Sequence, residues 1–295
     1  MEKTRKKLTA LPVLVIIAAV LFVLILMLDQ PEPAMEAEVI EPEQTEQTVP
    51  TTEDPYAFAH TPLDRLLVYA RLNDLKLSDW TDDMLNLVQL NPDAEEYVWN
   101  YPLKKETLLD IDLSDQLGTG EVPKLYQWDE RWGYSLYGGK PMGITACGPT
   151  CLSMVCLYYF QDAKYNPRYV ADFAEANGYY AKGYGSTWTL MSQGGKQLGL
   201  DVTAIPPNMS QVKKHLEAGE LVVFCMGPGD FTTSGHFILL TGVKDGMVTI
   251  NDPNSPTRTE MLWDLNAIKD QIENLWVFKG PLPTTTEETA TAAAQ

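Results

Sequence analysis

The chain of 295 residues is 45% apolar and carries a net charge of −18, which suits one substantial domain with appendages. The acidity is uneven: residues 29–54 hold nine acids and no Lys or Arg, while residues 118–283 hold 16 acids against 13 bases and are only −3. No basic patch remains to grip a phosphate backbone, so nucleic acid is not expected as a partner.

Residues 8–28 form an uncharged apolar run of 21 residues, preceded by Lys3, Arg5, Lys6 and Lys7 and followed by Asp29 and a string of glutamates. About 20 residues cross a bilayer core. The positive-inside rule therefore predicts a single-pass signal anchor with a cytoplasmic N-terminus and the rest of the chain extracellular. The rival reading is a cleaved signal peptide. That reading expects a shorter apolar region and a small-residue cleavage site, which Gln30-Pro31-Glu32 does not offer. The lipid bilayer is thus one expected partner. Residues 29–55, rich in Glu, Pro, Thr and Gln, read as a disordered acidic linker, and residues 284–295 as a disordered tail.

Residues 56–116 read as a helical region. Thr61-Pro62 gives a cap with Pro in the first turn, and Leu63, Leu66, Leu67 and Ala70 follow at helical spacing. A second helix is expected over 82–90, and a third after Asn91-Pro92. This unit could stand apart or pack on the main domain. In that domain, residues 117–283, helices are expected over 147–160, 166–177, from Ser186 through Leu198, and over 210–218. Short β-rich runs come next, at 221–226, 236–243, 247–251 and 275–278. Asp245-Gly246 marks a hairpin between the second and third of these. Helices first and antiparallel strands second give an α+β fold.

Four residues carry a chemistry. Cys147, in Ala146-Cys147-Gly148-Pro149-Thr150, stands at the mouth of a helix, where unpaired N–H groups and the dipole favour a thiolate and can donate to an oxyanion. His236, in Ser234-Gly235-His236, opens a strand beside a glycine that leaves room for a substrate. His60 and His215 lie in poorer contexts for a base. Asp252 follows the next strand and is the candidate orienter of His236. The simplest hairpin register opposes it to Leu239, three residues from the target, so Asn251 is kept as an alternative. Gln127, in Tyr126-Gln127-Trp128-Asp129, could complete an oxyanion hole. Cys151 and Cys156 share the Cys147 helix and read as small buried groups. Too few histidines accompany the cysteines for a zinc site, and no cofactor is expected.

Gln127-Trp128-Asp129-Glu130-Arg131-Trp132-Gly133, Tyr137-Gly138-Gly139, Cys147-Gly148-Pro149-Thr150 with Met154, Gly235-His236-Phe237 with Thr241-Gly242, and Asn251-Asp252-Pro253 together resemble one family. It is the papain-like cysteine peptidases that cut leaders from bacteriocins, peptidase family thirty-nine, and especially their stand-alone relatives. The resemblance implies a papain-like fold, in which a helical half carries Cys147 as nucleophile and an antiparallel sheet carries His236 as base and Asp252 as orienter. It also implies Gln127 as oxyanion donor, although in leader-cutting members the glutamine stands only a few residues before the cysteine. The expected function is a membrane-anchored extracytoplasmic cysteine peptidase acting on a peptide or protein substrate through a thioester. The alternatives are a cell-wall amidase or acyltransferase on the same architecture, or a non-catalytic peptide-binding surface module.

Overall fold

A computed structural model describes residues 54–281. The apolar run at 8–28, the linker up to residue 53 and the tail from 282 lie outside the described residues. Among those described, no helix is long and apolar enough to cross a membrane.

Three helices open the described chain: α1 (Pro62–Leu72), α2 (Asp82–Leu90) and α3 (Glu95–Lys104). Thr61 and Asp64 close a capping box over α1, and the Thr81 hydroxyl accepts from the Met84 N–H at the start of α2. Their apolar stripes meet in one cluster that includes Leu66, Met84, Val88 and Val98. Tyr134, from the following segment, belongs to the same cluster and stacks on Tyr97 at 4.6 Å. The Tyr97 hydroxyl donates to the Gly133 carbonyl at 2.8 Å, and the Tyr134 hydroxyl donates back to the Tyr97 carbonyl at 3.0 Å. The helical unit is therefore packed onto the chain that comes after it.

A two-stranded ribbon, β1 (Leu136–Tyr137) with β2 (Lys140–Pro141), leads into the short helix α4 (Met142–Thr145) and then α5 (Cys147–Phe160). Every residue of α5 from Gly148 to Leu157 is buried, as expected of a helix that is apolar all round. Gln161 ends it in the left-handed region at φ 53°. Helix α6 (Pro167–Ala176) packs on α5, with Asn166 as its side-chain cap.

Residues 180–199 depart from the sequence expectation. Ser186 does not cap a helix. It sits in a second small ribbon, β3 (Tyr180–Ala181) with β4 (Gly185–Ser186), and its Oγ lies 2.9 Å from the Tyr137 hydroxyl. The helical stretch starts later, as a π turn at Leu190–Gly194 that runs into Gly195–Gln197. β5 (Leu200–Ala204), also not anticipated, and α7 (Met209–Glu217) come next.

The remaining strands are β6 (Leu221–Met226), β7 (His236–Lys244), β8 (Met247–Asn251) and β9 (Ile272–Pro281). Two short helices, α8 (Pro256–Glu260) and α9 (Leu265–Ile268), lie between the last two. The sheet order is β5-β9-β6-β7-β8 and every pairing is antiparallel. β6 is buried along its whole length, because the sheet is covered on both faces. One face packs Val223, Leu239, Trp276 and Phe278 against α5 and α6. The other packs Val222, Phe224, Ile250 and Val277 against α7 and α9. The expected α+β class, helices preceding an antiparallel sheet, is the observed one.

Candidate active site

Cys147 is the first residue of α5, and Ala146 before it supplies no side-chain cap. A helix continuous with α4 would send the Cys147 N–H to the Gly143 carbonyl four residues back. That carbonyl instead accepts from Gln127 Nε2 at 2.8 Å, and the Cys147 N–H finds no acceptor among the described residues. Gly148 brings the backbone close to the β3–β4 ribbon: a Cβ on it would lie 2.5 Å from Ser186 Oγ. The helix mouth thus presents a half-buried thiol and a free N–H on one side of the chain.

His236 opens β7 opposite Met226 of β6, with 7% of its surface exposed. Its Nε2 lies 2.7 Å from Asp252 Oδ1, which leaves Nδ1 for the thiol. The meeting depends on a bulge. From Asp245-Gly246 the hairpin pairs Lys244 with Met247 and Gly242 with Thr249, and then slips, so that Leu240 faces Ile250 and Leu239 faces Asn251. A one-residue slip reverses which face each side chain takes. Carried one step further, the slipped register sets Asp252 level with Ile238, on the same side of the pleat as His236 and two residues away. The chain then leaves the strand at Pro253 and the carboxylate closes the gap. Asn251 is committed elsewhere: its Nδ2 donates to the Pro123 carbonyl at 2.8 Å. Of the two candidates, Asp252 is the one that faces the imidazole.

Asp252 is wholly buried and multiply held. Oδ1 also accepts from the Asn254 N–H at 2.8 Å, and Oδ2 accepts from Arg258 Nε at 2.6 Å. Burial pushes the carboxyl up, but His236 and Arg258 outweigh it and hold it below the usual carboxylate range. Burial opposes the charge on His236 as well, yet Asp252, and then the Cys147 sulfur, lift the imidazole to about 10. Burial raises the Cys147 thiol. The hydrogen bond and charge of His236, with the N–H groups of Phe237 and Gly148, reverse that and leave it lowered. A lowered thiol beside a raised imidazole shifts the pair toward thiolate and imidazolium.

The sequence pattern of the Peptidase_C39 like family matches residues 119–280, more than half of the chain. The chain belongs to that family. Two solved structures are also similar. The peptidase domain of Streptococcus ComA, a bi-functional ABC transporter involved in a quorum sensing pathway, is 18% identical with a TM-score of 0.38. The match covers 46% of this chain and 91% of that one. A C39-like peptidase from Bacillus anthracis is 15% identical with a TM-score of 0.35, over 57% of this chain and 98% of that one. No curated protein matches the sequence.

In this C39-like chain, Cys147 and His236 open onto a cleft of about 730 Å³. A Cβ added to Gly235 would meet nothing within 4 Å, so the space before His236 is open, as the sequence suggested. Gln127 is buried and is not among the residues that line the cleft; its Oε1 has no partner among the described residues. Its Nε2 has a second N–H beyond the one given to Gly143. Cys151 and Cys156 are buried on the core side of α5, and burial pushes both thiols up.

Several site features were not read from the sequence. Arg258, on α8, grips Asp252; the clue was the Ser255-Pro256 helix start, which places a cation six residues after the acid. Trp188, Cys225 and Glu273 line the cleft from a turn, β6 and β9 respectively, and no local pattern marks them. The turn after Asp252 is braced by the helical unit. Asn91 Nδ2 donates to the Asn254 carbonyl at 2.7 Å, and Asp93 accepts from Ser255 Oγ at 2.8 Å and Thr257 Oγ1 at 3.1 Å.

Proposed function

We propose that the chain is a cysteine peptidase, anchored in the membrane by residues 8–28 and working on peptides or proteins outside it. Cys147 is the nucleophile, His236 the acid and base, and Asp252 the orienter. The observation that carries this reading is the continuous line from Asp252 through Nε2 of His236 to the lowered thiol at the uncapped start of α5.

The Cys147 thiolate attacks the carbonyl carbon of a peptide bond, and the carbonyl electrons move to oxygen. That oxyanion accepts from the Cys147 N–H, and from the second N–H of Gln127 once that buried amide turns toward the cleft. As the tetrahedral centre collapses, the C–N bond breaks and imidazolium gives its proton to the leaving amine. Neutral His236 then takes a proton from water, whose oxygen attacks the thioester. The C–S bond breaks, the acid leaves, and thiolate and imidazolium are restored. Asp252 stays ionised and holds the tautomer throughout. Every step uses protein groups and water, with no cofactor and no nucleic acid partner.

The test is mass spectrometry of peptide pools incubated with the protein and with Cys147→Ala. New termini that appear only with the native chain support the peptidase. Release of peptidoglycan fragments, or acyl transfer to an amine, would move the assignment to the amidase or acyltransferase reading. An inert native protein would leave a binding module. Blotting of a tagged protein in membrane and medium fractions tests the anchor; a shortened form in the medium would refute it.

A further inference from the structure

We propose that Glu273 makes one wall of this cleft a subsite for a positively charged group, so that preferred substrates carry a lysine, an arginine or a free amine near the scissile bond. The inference rests on the cysteine-peptidase reading of the same cleft.

The carboxylate is there because of a fault in the sheet. Cys225 of β6 pairs with Asn274 of β9, and Met226 pairs with Ile272, so Glu273 is the extra residue of a bulge and has no partner across the strand. In regular register Glu273 would oppose Met226, whose side chain belongs to the core on the α7 face. A glutamate aimed there would be a buried, unpaired charge. The bulge re-aims it, and Glu273 instead lines the cleft with Cys225 and Cys147. Gly227 makes the room: a Cβ at that position would lie 2.9 Å from Glu273 Oε1 and 3.2 Å from its Cγ.

The charge is not balanced by any cation among the described residues. Of the two charged side chains on the cleft wall besides the Cys147–His236 pair, Lys140 is taken by Asp83 at 2.6 Å, whereas Glu273 forms no ion pair among the described residues. Its neighbour on the floor is the Cys225 thiol, which burial pushes up to about 12 and which therefore stays neutral. That thiol accepts from Trp188 Nε1 at 3.3 Å. The indole N–H is thereby committed and its ring is left 47% exposed on the cleft wall, near Tyr184, which is 90% exposed. The neutral Cys225 thiol donates weakly to Glu273 Oε2 at 3.9 Å and leaves its charge uncompensated, and flat aromatic faces beside such a carboxylate suit an aliphatic stem that ends in a cation.

The experiment uses peptidyl acyloxymethyl ketones in which lysine, glutamine or glutamate stands in turn at each of three positions. Labelling rates are divided by the rate for iodoacetamide on the same variant. At one position the lysine probe is expected to label Cys147 about fivefold to tenfold faster than the glutamine probe. Glu273→Gln should bring that ratio close to one, and Glu273→Lys should favour the glutamate probe. A lysine preference missing at every position, or one that survives Glu273→Gln, overturns the subsite even when iodoacetamide reacts fast at pH 6. If iodoacetamide itself reacts only as an ordinary thiol would, the Cys147–His236 reading fails first and the subsite falls with it.

Discussion

Replacing Asp252 by Asn removes one charge from the middle of the line. The isostere keeps the shape of the buried side chain, while His236 loses the anion 2.7 Å from its Nε2. With charge centres about 4 Å apart and an effective dielectric near 20, the lost attraction is about 4 kcal/mol, or roughly three pH units. The imidazole of the variant should therefore fall from about 10 to about 7, with burial then opposed only by the Cys147 sulfur. Without imidazolium beside it the Cys147 thiol should rise. The assay is the rate of iodoacetamide alkylation of Cys147 between pH 4 and 10. The native profile should show fast reaction well below the ordinary thiol range, with a loss on the acid side as Cys147 protonates. A change on the alkaline side is expected near pH 10, as imidazolium loses its proton. Asp252→Asn should react slowly at neutral pH and speed up only as an ordinary thiol ionises. The same shift sets the sign of the stability change with pH. The raised His236 contributes fully below its unfolded value near 6.5, and that contribution is lost as pH rises through about 10. An alkylation profile unchanged by the substitution would refute the ion pair.

Cys147→Ser should abolish peptide cleavage and leave the melting temperature nearly unchanged; a large drop in thermal melting would mean that Cys147 serves the core. Gln127→Ala should lower kcat by about 100-fold with little change in KM, the signature of a lost oxyanion donor; steady-state kinetics on any cleaved peptide reads it. Asp93→Ala should cost about 1–2 kcal/mol in urea unfolding, from two lost hydrogen bonds, and should lower kcat more than a surface change on α1. Tyr97→Phe should cost only about 0.5–1.5 kcal/mol, because the Gly133 carbonyl loses one donor but still accepts from the Gly143 N–H at 3.0 Å; an unchanged denaturation midpoint would contradict it.

Much of the scaffold was legible because its signals are local. Caps and prolines mark α1, α2 and α6, and the apolar run after Cys147 ends where α5 ends. Asp245-Gly246 marked the hairpin, and the poorer contexts of His60 and His215 left His236 as the base. The failures have the opposite character. Residues 180–199 mix glycines, aromatics and short polar runs, and Ser186 looks like a cap because nothing nearby reveals that Tyr180 and Tyr137 will claim it. β5 is only five residues long with a polar second position, and its partner β9 lies some seventy residues on. The approach of Asp252 to His236 needs a bulge that no residue pattern announces, and so does the turning of Glu273 into the cleft. Arg258 joins the site only once α8 folds back on the end of β8.

The brace at Asn91 and Asp93 has a consequence for exchanging parts between relatives. The segment shared with the family begins at residue 119, yet the turn behind Asp252 is fastened by residues that precede it. A chimaera that swapped in only the shared segment would keep all of its reacting atoms and lose the fastening on its acid. Such hybrids should fold and work poorly until the leading helices travel with them.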